Sequence, residues 1–255
     1  MNKKLDNLLS EIDKLKQKLD ASRPLLNETI LQAIDIEYTY NSNRIEGNTL
    51  TLRETDIVIN KGLTIGGKSM REHLEAVNHY EAIAFIKELV TEGSILNENI
   101  IKDIHSLVLR GIDRENAGKY RSVPVSISGS RHEPPQPWQV PKLMEDLNFW
   151  IQEEAENLHP VIFAAEIHER IATIHPFIDG NGRTARLLMN LILLQNGYTI
   201  ADISGDTKGR LAYYNALEKC NLNQDKTDFM VLITEYVYDS MGKLVKKLGQ
   251  NHDQL

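Results

Sequence analysis

Hydrophobic side chains recur at helical spacing over most of this 255-residue chain. The first such segment is rich in charged residues and stops before Pro24, because proline does not fit a helix interior. Its apolar positions fall on one helical face: Leu5, Leu8, Leu9, Ile12, Leu15 and Leu19. The pattern predicts either a short coiled-coil-like partner helix or an arm that packs on its own core.

Local start and stop signals delimit the helices that follow. A second helix is expected from about Leu25 to Ile45, so that Glu46 stands at its end. Capping-box patterns at 51–54 and 69–72 open two more helices. Further helices are predicted over 97–111, 140–157, 160–174, 184–196, 208–221 and 227–248. We therefore expect an all-α protein.

Residues 118–138 break the helical pattern. Tyr120, Val123, Val125 and Ile127 alternate with smaller or polar residues, and a Ser-Gly-Ser turn and three prolines follow. This alternation predicts a short β-hairpin with a loop, the only β-rich signal in the chain. From the pattern alone, a surface hairpin without a special role is the simplest interpretation.

Composition limits the classes of function. With 41% hydrophobic residues the chain can bury a sizeable core. A net charge of −7 argues against binding to DNA or RNA, which needs a basic face. Cys220 is the single cysteine, so no internal disulfide framework is expected. No secretory signal and no apolar run of membrane-spanning length is present, so we expect a cytoplasmic protein without membrane contact.

The densest chemistry lies in the twelve residues HPFIDGNGRTAR, from His175 to Arg186. Gly180, Asn181 and Gly182 can bring successive backbone N–H groups onto one anion, and the helix that follows favours negative charge at its start. Arg183 and Arg186 share one face of that helix, where they can clamp a polyphosphate.

Two further side chains of this segment suit nucleotide transfer. Asp179 is a hard oxygen ligand for a Mg²⁺ ion that bridges phosphate oxygens. His175 can accept a hydroxyl proton at neutral pH. Taken one at a time, these residues are more typical of a core histidine, a packing residue at Phe177 and a solvated arginine face. A plain helix start has no use for all of them at this spacing.

The segment resembles the signature of the Fic family, HxFx(D/E)GNGRxxR. Every defined position agrees: His175, Phe177, Asp179, Gly180, Asn181, Gly182, Arg183 and Arg186. The resemblance implies a general base at His175, a Mg²⁺ ligand at Asp179, α- and β-phosphate contacts at Asn181 and its glycines, and a γ-phosphate contact at Arg186. The implied reaction moves AMP from ATP to a Ser, Thr or Tyr hydroxyl. Gly182 favours this adenylylating branch, because phosphorylating Doc-type relatives carry lysine there.

An upstream segment resembles the family's inhibitory pattern [S/T]xxxE[G/N]. Ser42, Glu46 and Gly47 match it. The resemblance implies that Glu46 pairs with Arg186 and so competes with the γ-phosphate, which makes the enzyme autoinhibited and places it in class II. The alternative is that Ser42 and Glu46 only help to end a helix at Gly47.

The resemblance also assigns substrate contacts. The predicted hairpin corresponds to the flap, which covers the nucleotide and pairs with an extended segment of the protein target. Val125 and Ile127 are the flap candidates. Tyr214 and Asn221 correspond to residues that border the adenine base, although tyrosines at helical spacing are also typical of a core.

The prediction is an autoinhibited protein adenylyltransferase of the all-helical Fic fold, with ATP and Mg²⁺ as cofactors. Its regions are a helical arm at 1–22, a helical region at 23–96 with the inhibitory segment, a catalytic core at 97–222 with the flap at 118–138, and a last helix at 223–255. Two alternatives stay open. The same site could remove AMP, with Glu46 orienting a water, or the chain could be a non-catalytic nucleotide sensor that forms a homo-oligomer through its N-terminal helix.

Two competing motifs belong to other classes of enzyme. Gly62–Ser69, GLTIGGKS, satisfies the phosphate-loop pattern GxxxxGK[ST], but that loop works only between a parallel strand and a helix. We expect a glycine-rich turn capped by Ser69 instead. His159, His168 and Glu169 lie near His175, as in a metallohydrolase, yet no ligand pair has zinc spacing and no third ligand suggests itself.

Overall fold

The computed structural model describes residues 3–252, and this part of the chain forms ten α-helices and two short 3₁₀ turns. The turns are Arg23–Leu25 and Pro137–Gln139. The helices are α1 (Lys3–Ser22), α2 (Glu28–Ile45), α3 (Leu52–Lys61), α4 (Met70–Glu92), α5 (Glu98–Val108), α6 (Val140–Glu154), α7 (Pro160–Ile174), α8 (Asn181–Gln195), α9 (Thr207–Asn223) and α10 (Thr227–His252). The predicted all-α class is confirmed.

Helix α8 lies at the centre of the core. Its residues from 183 to 193 are all buried, and this includes the polar side chains of Arg183, Thr184, Arg186 and Asn190 as well as the hydrophobic ones. Helices α4, α5 and α7 pack around it. The functional motif occupies the loop between α7 and α8 and the first turns of α8, so it is supported by the best-packed part of the protein.

The capping signals work as predicted. Thr51 and Glu54 form a reciprocal capping box at the start of α3, and Ser69 and Glu72 form one at the start of α4. Such caps satisfy N–H groups that have no partner within the helix. Gly197 has a φ of 78°, so the chain turns in the left-handed region directly after α8.

The N-terminal helix packs on its own core, which was one of its two predicted roles. α1 lies along α10, and its buried side chains are Leu5, Leu9, Ile12 and Leu19. They belong to the same hydrophobic cluster that includes Leu188 in α8 and Leu248 in α10. The core therefore crosses all the predicted region boundaries, which stay predictions.

The predicted β-hairpin at 118–138 is wrong. No residue of this segment is in a strand; it is an extended loop with a turn at Ile127–Ser130. The physical reason is that backbone donors on both sides of the turn bond outside the segment: Arg121 N–H donates to Pro176 O and Arg131 N–H to the Glu218 carboxylate. The three prolines at 134, 135 and 137 have no N–H to contribute to a ladder.

The phosphate-loop alternative lacks its structural context. Gly62–Ser69 connects the helices α3 and α4, with no strand before it. Lys68 Nζ donates to Thr49 O at 2.6 Å, and Ser69 caps α4. The segment is the predicted capped turn. Among the described residues, no helix combines the length and the hydropathy that crossing a membrane requires.

Candidate active site

His175 ends α7 in an unusual backbone conformation. Its φ of 50° lies in the left-handed region, which non-glycine residues adopt uncommonly. The conformation is held from both sides: His175 N–H donates to Ile171 O at 2.9 Å, and Arg121 Nε donates to His175 O at 2.8 Å. His175 is thereby fixed at the start of the loop that leads into α8.

The His175 imidazole is suited to accept a proton. Burial is the main cause that lowers its pKa to about 4, so the ring is neutral at neutral pH. Its Nδ1 lies 3.3 Å from Ala172 O, and since a carbonyl only accepts, Nδ1 carries the hydrogen in this contact. The Nε2 lone pair is then left to act as a base.

The glycine turn forms the N-terminus of α8. Gly180 is its N-cap, and Thr184 N–H is the donor that reaches Gly180 O, so the N–H groups before it have no intrahelical acceptor. The Asn181 amide bonds the backbone of Phe177 with both of its polar atoms: Oδ1 accepts from Phe177 N–H and Nδ2 donates to Phe177 O, both at 2.9 Å. Asn181 therefore shapes the loop with its side chain, and its backbone N–H is available to an anion.

Asp179 is an ionised carboxylate at the edge of this turn. Burial acts to raise its pKa, but the Arg183 guanidinium, the Gly180 N–H and Arg71 together hold the pKa below its usual value. Its side chain is 41% exposed. No group of three or more His, Cys, Asp or Glu side chains among the described residues forms a metal cage. One exposed carboxylate without a protein cage is the donor set that fits Mg²⁺ carried by phosphates.

Arg186 is a buried cation that is held by several hydrogen bonds. Its side chain is fully buried, and its Nε donates to Ser42 Oγ at 2.9 Å. Its Nη2 donates to Ser42 O at 2.9 Å and to Glu46 Oε1 at 2.7 Å, and Nη1 donates to Tyr213 Oη at 3.3 Å. Burial alone lowers the pKa of an arginine, yet Glu46 and the two neighbouring tyrosines Tyr213 and Tyr38 keep the pKa of Arg186 above its usual value.

The end of α2 delivers Glu46 to the start of α8. Glu46 is the C-cap of α2, and Gly47 turns the chain away with a φ of 97°. The Glu46 carboxylate lies against Gly182, where a Cβ would approach Cδ of Glu46 within 3.3 Å and Oε1 more closely. The structure thus brings Ser42 and Glu46 into contact with Arg186, which lies 144 and 140 residues further along the chain. Gly47, the third residue of the pattern, only turns the chain away.

The predicted adenine residues lie at opposite ends of the motif. Tyr214 Oη donates to Ile45 O at 2.9 Å, beside Glu46. Asn221 Oδ1 accepts from Thr173 Oγ1 at 2.6 Å, two residues before His175. Both are on α9. The flap candidates Val125 and Ile127 are half-buried in the extended loop.

Two buried side chains, His105 and Arg121, shape the motif although nothing in the sequence marks them. His105 Nε2 donates to Asp179 O at 2.9 Å, and the ring stacks on Phe177 with centroids 3.6 Å apart. Arg121 donates to His175 O and, at 2.5 Å, to Pro135 O. Each is far from the motif in sequence, and a lone histidine in α5 or an arginine in a loop carries no recognisable signal.

The zinc-enzyme alternative finds no support in the described residues. His168 Nε2 contacts Tyr213 Oη at 3.0 Å, and His159 Nε2 contacts Asp13 Oδ1 at 3.2 Å. Burial lowers the pKa of His168 to about 3. The two rings thus have separate protein partners, and neither joins His175 at a metal site.

Comparison with known protein families and proteins gives a consistent result. Residues 95–193 match the Fic/DOC family. The chain is 37% identical over 225 residues to the protein adenylyltransferase Fic of Nematostella vectensis, covering 86% of this chain and 52% of that protein. It is 31% identical to protein adenylyltransferase fic-1 of Caenorhabditis elegans, covering 100% of this chain and 49% of that protein. The chain therefore spans about half the length of these relatives.

Solved structures share the whole architecture. A structure of Fic-1 (residues 134–508) from C. elegans superposes with a TM-score of 0.85 at 28% identity, covering 97% of this chain and 73% of that one. A Fic domain containing signaling protein from Bacteroides thetaiotaomicron gives a TM-score of 0.83 at 29% identity, covering 94% and 97% of the two chains.

Proposed function

We propose that this chain, whose residues 95–193 match the Fic/DOC family, transfers AMP from ATP to a Ser, Thr or Tyr hydroxyl of a target protein. Relatives named protein adenylyltransferase, at 31–37% identity, support this class of reaction. Ile178, in the loop between α7 and α8, is exposed, so this part of the motif is accessible to another protein.

The motif residues divide the work of the reaction. The hydroxyl oxygen of the target attacks the α-phosphorus of ATP, and the hydroxyl proton passes to Nε2 of His175. The bond between the α-phosphorus and the oxygen that bridges to the β-phosphate breaks, so that pyrophosphate leaves. The free N–H groups at the start of α8 hold the phosphates together with the helix dipole. Arg186 binds the γ-phosphate once Glu46 has moved away.

Asp179 would hold the metal ion of the nucleotide. Mg²⁺ supplies charge neutralisation between the phosphate oxygens when it is bound. Asp179 is prepared for this role, because it is ionised and its backbone is fixed by His105.

Autoinhibition of class II is the second part of the proposal. The observation that carries it is the placement of Glu46: its carboxylate pairs with the buried Arg186 and lies over Gly182 at the N-terminus of α8. A negative charge there repels a phosphate and occupies its cation. The enzyme is then inactive until Glu46 moves away from Arg186. The alternative, in which Ser42 and Glu46 only help to end α2, does not account for their three hydrogen bonds to Arg186.

The test is transfer of label from α-phosphate-labelled ATP to protein. We expect Glu46→Gly to transfer label to proteins of a cell lysate, the wild type to transfer far less, and Glu46→Gly with His175→Ala to transfer none. Glu37→Gln, which removes a carboxylate on the opposite face of α2, is the control and should label like the wild type. Equal labelling by the wild type and Glu46→Gly would reject autoinhibition, and no labelling by any variant would reject the transfer.

Removal of AMP from a modified protein is the second candidate function. The Glu46 side chain is 32% exposed although it pairs with Arg186, so the same carboxylate can also face a water molecule. Release of AMP from a modified target by the wild type, and its loss in Glu46→Gly, would favour this reaction. If neither activity depends on His175, the non-catalytic nucleotide sensor remains. Docking of the target by the loop at 118–138, the cytoplasmic location and a homo-oligomer stay predictions.

A further inference from the structure

Arg71 reaches the active site from α4, which lies outside the two segments that resemble the Fic family patterns. It is the second residue of α4, whose start is fixed by the capping box of Ser69 and Glu72. Glu72 is held further by Thr49, whose N–H and Oγ1 both donate to its Oε1. Since the first turn of α4 is fixed in this way, the Arg71 side chain leaves the helix in a defined direction, toward Asp179.

Four charged side chains form a closed ring at this point. Arg71 Nη2 pairs with Asp179 Oδ2, and Arg71 Nε donates to Glu75 Oε1 at 3.1 Å. Glu75 Oε1 lies 3.4 Å from Arg183 Nη1, and Arg183 Nη2 lies 3.3 Å from Asp179 Oδ1. Charges alternate around the ring, so both oxygens of Asp179 already have a cation.

The two arginines of the ring differ in their freedom to move. The Arg183 side chain is 2% exposed and cannot leave without unpacking α8, whereas the Arg71 side chain is 57% exposed. A divalent cation on Asp179 needs an oxygen that Arg71 now occupies, and two positive centres repel each other at that distance. Arg71 is therefore the exchangeable member of the ring.

The ring also contacts the C-terminal end of α2, next to Glu46. Glu75 Oε2 accepts from Asn48 Nδ2 at 3.0 Å, and Glu75 O accepts from Asn43 Nδ2 at 3.2 Å. Asn43 and Asn48 lie on either side of Glu46 in sequence. The carboxylate that receives Arg71 thus also helps to hold the segment that carries Glu46.

We propose that Arg71 is a built-in cation that occupies Asp179 in the resting protein and is exchanged for the divalent metal ion that arrives with the nucleotide. It is a second restraint on the site, separate from the Glu46–Arg186 pair, and it acts on the metal ion instead of the γ-phosphate. The inference rests on the proposed function, because it assumes that a metal–nucleotide complex binds at Asp179.

The test is calorimetric binding of a non-hydrolysable ATP analogue to the Glu46→Gly protein, with Mg²⁺ and with EDTA. We expect Arg71→Ala to lower the Kd with Mg²⁺ about two- to fivefold, the size typical of an exposed ion pair, and to leave the Kd in EDTA unchanged or higher. Arg71→Lys keeps the charge but cannot bridge two carboxylates, so its Kd should fall in between. Arg53→Ala, an exposed arginine of α3, is the control and should change neither Kd.

Other outcomes overturn the inference. An equal change of Kd with and without Mg²⁺ would make Arg71 a general electrostatic contributor, and weaker binding with Mg²⁺ would make it a nucleotide ligand. In either case label transfer by Glu46→Gly would still support the proposed function. Absence of any nucleotide binding to Glu46→Gly would remove both. Because Arg71 is exposed, the variants should fold, and an unchanged melting temperature verifies this.

Discussion

Gly182 and Glu46 fit together only because position 182 has no side chain. A Cβ at Gly182 would approach Cδ of Glu46 within 3.3 Å, and it would also lie 3.1 Å from Nη1 of Arg186. Under the proposed function, the glycine of the phosphate-binding turn is therefore also the glycine that admits the carboxylate of Glu46. The same position in the first turn of α8 would then matter both when Glu46 is in place and when a nucleotide is bound.

Gly182→Ala should have opposite effects on stability in two backgrounds. In the wild type we expect it to destabilise the fold by about 1–3 kcal/mol, because Glu46 and Arg186 must move apart. Glu46→Gly removes the carboxylate, and the end of the Arg186 side chain then needs to shift by only a few tenths of an ångström. Alanine should therefore stabilise the helix by up to about 0.5–1 kcal/mol relative to glycine. Urea unfolding of the four proteins gives the coupling energy. A coupling of zero would mean that Glu46 does not approach Gly182 in solution.

Ser42→Ala should weaken autoinhibition without abolishing it. It removes the Oγ acceptor of Arg186 Nε and leaves a buried charged donor unsatisfied, at a cost of about 1–3 kcal/mol. Because this cost falls on the resting state, the ATP analogue should bind more tightly than to the wild type and less tightly than to Glu46→Gly. Ser22→Ala, at an exposed serine that bonds Lys18 O, is the control. Calorimetry with Mg²⁺ present measures the order of the affinities.

The rate of AMP transfer by Glu46→Gly should be flat between pH 6 and pH 8, if substrate binding is saturated. Burial lowers the pKa of His175 to about 4, so the base is already neutral throughout that interval and loses its proton-accepting form only as the pH falls through about 4. An imidazole with an ordinary pKa of about 6.5 would lose roughly three quarters of the rate at pH 6. Initial rates of label transfer distinguish the two, and a midpoint near 6.5 would contradict the buried neutral base.

Asp202→Asn should stabilise the protein at alkaline pH. Burial raises the pKa of Asp202 to about 7, although the bond from Asn41 Nδ2 at 2.6 Å acts to lower it. The folded state keeps a proton that the unfolded chain releases near pH 4, so Asp202 destabilises the fold increasingly as the pH rises from about 4 through 7. The neutral, isosteric Asn removes this effect and can still accept from Asn41.

Melting temperatures at two pH values measure the effect. At pH 8.5 we expect Asp202→Asn to melt about 3 °C or more above the wild type, which corresponds to ~1 kcal/mol or more for a chain of this size. At pH 4, where the unfolded chain also keeps much of its proton, the difference between the two melting temperatures should nearly vanish. Asp146→Asn, which removes an exposed carboxylate paired with Lys142, should show no such dependence on pH. A gain of equal size at both pH values would assign the effect to packing instead of charge.

Local rules predicted most of the helices. The capping boxes at 51–54 and 69–72, the turn at Gly197 and the face of α1 depend on residues within a few positions of each other, so they are visible in sequence. The expected hairpin was wrong because strand alternation describes only the side chains. Whether a ladder forms depends on where the backbone donors go, and Pro176 and Glu218 receive them.

The sequence by itself determined the chemistry of the motif at 175–186, because those residues are contiguous and their types define what they can bind. It also predicted the pair of Glu46 and Arg186, through a pattern match. Only the tertiary structure decided that the His175 imidazole is neutral and that the Asn181 side-chain amide bonds the backbone of Phe177. It also placed Arg71 and Glu75 in a ring of charges with Asp179 and Arg183. These features arise from burial and from contacts between helices. The residues in such contacts are far apart in sequence, so no local pattern predicts that they meet.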